Sequence, residues 1–137
     1  MKYHIEDYCD KLGWYLVTIP AGSKGPTSFG WQKPERALSD PDEARKYYEQ
    51  NPTHNVGLLH GASGTCAIDI DHVENTKLIF EELGIDFSLL MNSAPQIIGR
   101  ENRGKLIFKA PADLGTHKIS WPVKDDPRKT EVVFELR

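Results

Sequence analysis

The chain has 137 residues, a net charge of −3, 39% hydrophobic and 27% charged residues, which fits one globular domain with one core and argues against disorder. No apolar run approaches the ~20 residues of a membrane-spanning helix, and the acidic balance is unlike that of a dedicated duplex-binding domain. Cys9 and Cys66 lack metal-ligand spacing and read as reduced thiols. The N-terminus has no apolar signal core, so a cytoplasmic location is expected.

Ile5, Tyr8, Cys9 and Leu12 fall on one helical stripe, which predicts an amphipathic helix over 3–12 closed by Gly13. Residues 14–19 are aromatic and β-branched and predict a strand. The breaker-rich loop after it carries Lys24 among glycines. This is not the phosphate-loop pattern, which needs Gly-Lys-Ser/Thr opening a helix, yet such a lysine can hold a phosphate. Trp31 closes the loop and is expected in the core. Asp40-Pro41-Asp42-Glu43 predicts a helix start, with a capping aspartate and proline in the first turn, and the helix is expected over 41–50. Residues 55–60 and 65–71 predict two strands of a hairpin about the turn at 61–64.

A further helix is expected over 73–83. Residues 86–90 are ambiguous and 93–99 are strand-like. Lys105 to Lys109 predicts a strand with Lys105, Ile107 and Lys109 on one face. Residues 110–129, with three prolines and many charges, read mostly as loop. A last strand covers 130–137, placing Glu131, Val133, Glu135 and Arg137 together. Basic residues cluster at Arg100, Arg103, Lys105 and Lys109, and again at Lys124, Arg128, Lys129 and Arg137. The expected fold class is α+β: a mostly antiparallel sheet with acidic residues on one face and helices packed outside it, forming a single domain over 1–137.

The chemistry centres on Thr65-Cys66-Ala67-Ile68-Asp69-Ile70-Asp71. Strand alternation puts Cys66, Ile68 and Ile70 on one face and Ala67, Asp69 and Asp71 on the other. Two carboxylates two residues apart have α-carbons roughly 7 Å apart. They suit a hard-oxygen site for Mg²⁺ or Mn²⁺, whose remaining ligands are water and phosphate. A solvated acidic strand face would show the same alternation. Lys105 beside Arg103, and Glu135 beside Arg137, lie on two further strands that could face the same site. Carboxylates that bind metal, together with cations that neutralise phosphates, make chemical sense as a set.

With these stretches in order, the chain resembles the bifunctional DNA primase/polymerase N-terminal domain of the archaeo-eukaryotic primase superfamily, found on plasmids and phages. The matching segments are Gly13 to Pro20 with Gly22 to Pro26, Asn55 to Gly61, Ala67 to His72, Gly99 to Phe108, and Val133 to Arg137. The resemblance implies a metal-dependent nucleotidyltransferase. Asp69, Asp71 and Glu135 would hold two divalent ions, Mg²⁺ or Mn²⁺, and would be the catalytic carboxylates. Lys105, Arg103, Lys24 and Arg137 would bind nucleotide. Nucleoside triphosphates, a single-stranded DNA template and a fused or associated helicase are the implied partners, with no membrane.

Two departures from the pattern are visible. In Arg103-Gly104-Lys105 a lysine stands where the superfamily has histidine; it can pair with phosphate but supplies no imidazole. The family pattern also continues past the Glu-Leu-Arg strand, so the chain is read as the N-terminal part of a longer catalytic domain. The alternative is a non-catalytic relative that binds nucleotide or single-stranded DNA, with Phe108 and Trp121 as candidate stacking residues. Asp-x-Asp also occurs in glycosyltransferases, a reading that leaves the Glu135 strand and the Lys24 loop unexplained. His54, His60, His72 and His117 match no compact metal motif.

Overall fold

The computed structural model describes residues 3–98, 103–110, 114–123 and 125–137. They form two compact units, residues 1–64 and 65–137. Among the described residues every strand pairing is antiparallel, and helices accompany both sheets. Among the described residues no helix is long and apolar enough to cross a membrane.

In the first unit, α1 (Ile5–Asp10) and α2 (Pro41–Gln50) accompany a two-stranded sheet of β1 (Leu16–Ile19) and β2 (Asn55–Leu58). The stripe expected on α1 is real. Cys9 is buried with Leu16 and Ala44, and Ile5, Tyr8, Trp14 and Leu38 pack around them. Leu12, just past the helix, is 42% exposed. Gly13 takes a positive φ of 66° and its N–H donates to Cys9 O at 3.1 Å, which closes α1. Asp40 caps α2, its Oδ1 accepting from the Glu43 N–H at 2.9 Å. Trp31 is half-buried and lies outside the core cluster.

The hairpin expected between residues 55–60 and 65–71 does not form. β2 pairs with β1, with Val17 opposite Gly57, and β3 (Thr65–Ile70) pairs with two other strands. The residues between, His60–Ser63, wind into the short helix α3 instead of the turn expected at 61–64. The Ser63 hydroxyl accepts from the Tyr15 N–H at 2.9 Å, and the Leu59 N–H donates to Tyr15 O at 2.9 Å, so the segment is tied back to β1.

Gly64 ends α3 in the left-handed region, with φ 64° and ψ 32°. An added Cβ would meet nothing within 4 Å, so the cost of a side chain there is backbone strain alone. Gly64→Ala is expected to destabilise by about 1 kcal/mol, read as a lower urea midpoint, and Gly64→Asn by less, because asparagine tolerates this conformation.

The second unit holds a five-stranded sheet in the order β4 (Gln96–Ile98), β5 (Gly104–Lys109), β3, β7 (Asp126–Leu136), β6 (His117–Val123). Helices α4 (Val73–Glu82) and α5 (Phe87–Ser93) supply its apolar cover. Ile70, Phe80, Phe87 and Leu106 are buried together, with Ile68, Phe108 and Phe134 packed against them. The ambiguous stretch at 86–90 resolves as the start of α5, capped by Asp86 Oδ1 accepting from the Leu89 N–H at 2.9 Å.

The loop expected over 110–129 is largely strand: β6 and the first part of β7 lie in it. Pro122 is tolerated because β6 is the edge of the sheet, where one missing N–H breaks no inner ladder. The register shifts between Ile119 and Ser120 and between Pro122 and Val123 absorb the irregularity. Cys9 and Cys66 are free and buried, and burial pushes both thiols up from their ordinary value.

Candidate functional site

β3 alternates as its sequence implies. Ile68 and Ile70 join the core cluster under the helices, and Asp69 points to the opposite face, with 27% of its side chain exposed. Register then decides what Asp69 meets. Across β5 it is paired with Lys105, and across β7 with Glu135. Glu135 is in turn paired with Lys118 of β6. One row across four strands therefore reads lysine, aspartate, glutamate, lysine.

Two carboxylates directly opposite each other on neighbouring strands are unfavourable, because like charges at this cross-strand spacing repel. The surroundings offset this. Arg137 lies two residues beyond Glu135 on β7 and bridges both acids: its Nε is 2.8 Å from Glu135 Oε2 and 3.6 Å from Asp69 Oδ2, and its terminal nitrogen is 2.7 Å from Glu135 Oε2. Lys118 Nζ stands 3.3 Å from Glu135 Oε1, and Lys105 Nζ stands 3.8 Å from Asp69 Oδ2. Three cations thus surround the opposed pair.

Glu135 is the most enclosed of these groups, with 9% of its side chain exposed. Burial pushes its pKa up, but hydrogen bonds and charge from Arg137 and Lys118 outweigh burial and hold it below the ordinary value of 4.5. A carboxylate with a depressed folded-state pKa stabilises the fold in full above its unfolded value, and that contribution is lost as pH falls through the folded value. Thermal melts are therefore expected to show wild type losing stability below pH 4.5 more steeply than Glu135→Gln. Superimposable pH profiles for the two proteins would refute the assignment.

Asp71 lies one residue past β3. Its backbone N–H donates to Val133 O at 3.0 Å, which continues the ladder and keeps Asp71 in phase with Asp69, half-buried. Among the described residues no group of three or more His, Cys, Asp or Glu is gathered closely enough to hold a metal ion. The opposed pair Asp69 and Glu135 does offer hard oxygen donors on two adjacent strands. That chemistry fits a cation that brings phosphate and water ligands with it, rather than one enclosed by protein alone.

Of the other sequence candidates, Arg103 is exposed just before β5, and Lys24 is exposed in the loop of the first unit. Arg100 and Lys124 lie outside the described residues. Phe108 packs against the core. Trp121 is 50% exposed and lines a groove of about 720 Å³ with Leu78, Ile79 and Leu83 of the α4 region, on the helix side of the sheet and away from the carboxylates. The histidines are dispersed: His54 Nδ1 is 2.9 Å from the Tyr47 hydroxyl, and His72 Nε2 is 3.4 Å from Glu131.

Sequence reasoning missed Lys118, because it sat in the stretch read as loop. The available signal was the run Ile119-Ser120-Trp121-Pro122-Val123, strand-like apart from its proline.

The sequence pattern of the family described as "Bifunctional DNA primase/polymerase, N-terminal" matches residues 5–136. The chain belongs to that family. No curated protein matches it. The match covers nearly the whole chain, both units included, and sets aside the glycosyltransferase reading of Asp69 and Asp71.

Proposed function

We propose that this chain is a metal-dependent nucleotidyltransferase domain that adds nucleotides to a strand paired with a single-stranded DNA template, in plasmid or phage replication of the archaeo-eukaryotic primase type. The observation that carries this reading is the direct opposition of Asp69 and Glu135 across β3 and β7. A sheet has no structural reason to place two acids in register on adjacent inner strands. A site that must hold divalent cations does.

In this reading Asp69 and Glu135, with Asp71 in phase beside them, hold Mg²⁺ or Mn²⁺. Such ions would supply charge neutralisation at the phosphates and make the attacking hydroxyl more acidic. The residues themselves position and screen. Lys105 and Arg137 flank the carboxylates and bind the triphosphate oxygens, with Arg103 as a further nucleotide contact. The reaction forms a bond from the strand's 3′-oxygen to the α-phosphorus and breaks the bond to the departing pyrophosphate, whose added charge the cations stabilise. A helicase, fused or associated, is the partner such a domain would serve.

One observation favours the binding-only alternative: both acids are already paired with cations. The test is incorporation of nucleotide on a primed single-stranded template with Mn²⁺. Products that appear with wild type and vanish with Asp69→Ala plus Asp71→Ala support catalysis at this site. Incorporation that survives the double substitution overturns it, and nucleotide binding without incorporation leaves the binding reading.

A further inference from the structure

We infer that Lys118 is an exchangeable counter-ion: it neutralises Glu135 while that carboxylate is free, and passes to a nucleotide phosphate when a divalent cation takes the carboxylate. This deepens the proposed nucleotidyltransferase reading and rests on it.

The division of labour around Glu135 carries the argument. Oε2 is held by Arg137 through contacts of 2.7 and 2.8 Å, and Oε1 is held by Lys118 at 3.3 Å. Arg137 also reaches Asp69, so it is tied to two carboxylates at once. Among the described residues Lys118 has the single ion pair with Glu135; it sits on the edge strand and keeps 61% of its side chain exposed. A flexible four-carbon stem lets its ammonium swing to another anion at little cost. On the other flank Lys105 stands 3.8 Å from Asp69, so the acid pair has a lysine on each side. A cation drawn to Glu135 must compete with Lys118. Once displaced, Lys118 is an unpaired positive charge at the rim of the site. Triphosphate binding then gains a partner that it lacks while the cation is absent. By linkage the two ligands must strengthen each other equally.

The test is calorimetric titration of Mn²⁺ into the full chain, without and with saturating dATP, for wild type, Lys118→Met, Lys118→Arg and Lys129→Met. Lys129 pairs with Asp126 near the start of β7, so its loss changes net charge equally, roughly 20 Å along the strand from Glu135. Lys118→Met is expected to bind Mn²⁺ alone roughly two- to fivefold more tightly, the scale of an exposed ion pair, and to lose a similar factor of the enhancement by dATP. Lys118→Arg should keep the enhancement, and Lys129→Met should match wild type in both titrations. If Lys118→Met keeps the full enhancement, or if Lys129→Met reproduces its effect, the counter-ion role is overturned and the nucleotidyltransferase reading stands. A folded wild type that binds no Mn²⁺ with or without dATP overturns both.

Discussion

Glu135→Gln is expected to lower template-directed incorporation by on the order of 10²–10³-fold while shifting folding stability by less than about 1 kcal/mol. The two effects separate because the charge serves the ligand more than the fold. In the folded protein the carboxylate gains from Arg137 and Lys118 but is opposed by Asp69 directly across β7 and β3. Glutamine keeps the shape and one accepting oxygen, removes the repulsion, and leaves Arg137 with Asp69. Its partners are 50% and 61% exposed, so they resolvate readily. The proposed cation site, by contrast, loses one of its two opposed donors. Incorporation assays paired with urea melts decide the matter. Activity within about threefold of wild type would remove Glu135 from the chemistry. A loss of several kcal/mol in stability would mean the pair is structural. Combined with Asp69→Asn, the further loss should be far less than multiplicative, because residues acting as one unit are not additive.

The legible part of this molecule was local. Asp40 and Pro41 announced α2, and the alternation from Cys66 to Asp71 announced both the core face and the acid face of β3. These signals are carried by residues a few positions apart, where capping and pleat geometry act directly. What failed was pairing at a distance. A hairpin between 55–60 and 65–71 was the nearest pairing in sequence, yet β2 takes β1 and β3 takes β5 and β7, because the strands that complete each sheet lie far along the chain. Register across long separations is invisible to periodicity. The opposition of Asp69 and Glu135 is a register fact of this kind. So is the place of Lys118, which Pro122 helped to conceal in a stretch read as loop. The family pattern brought Asp69, Lys105, Glu135 and Arg137 together as a set. Only the sheet order shows that they stand side by side.

Phe80→Ala is expected to cost about 3–5 kcal/mol, a large share of the roughly 5–15 kcal/mol that keeps a domain folded. Phe80 is 4% exposed and meets two other rings edge-on, Phe134 at 5.1 Å and Phe87 at 5.8 Å. Alanine leaves a cavity beneath the sheet and removes both ring contacts. Phe80→Leu keeps most of the volume and loses chiefly the aromatic pairs, for about 1–3 kcal/mol. Urea denaturation followed by circular dichroism checks both, and equal costs for the two variants would mean that the cavity is not the dominant effect. The consequence for the site runs through β7. Phe134 faces the helices and Glu135, its neighbour, faces away. The packing of Phe134 on Phe80 is therefore what fixes the strand's phase, and a slip of one residue would turn Glu135 toward the helices and Phe134 toward the face that carries Asp69. At temperatures where Phe80→Leu is still folded, its Mn²⁺ affinity should stay near that of wild type, since the phase is held by the remaining apolar contact. If affinity falls in step with stability, the carboxylate pair depends on the rigidity of the core as well as on the register that core enforces.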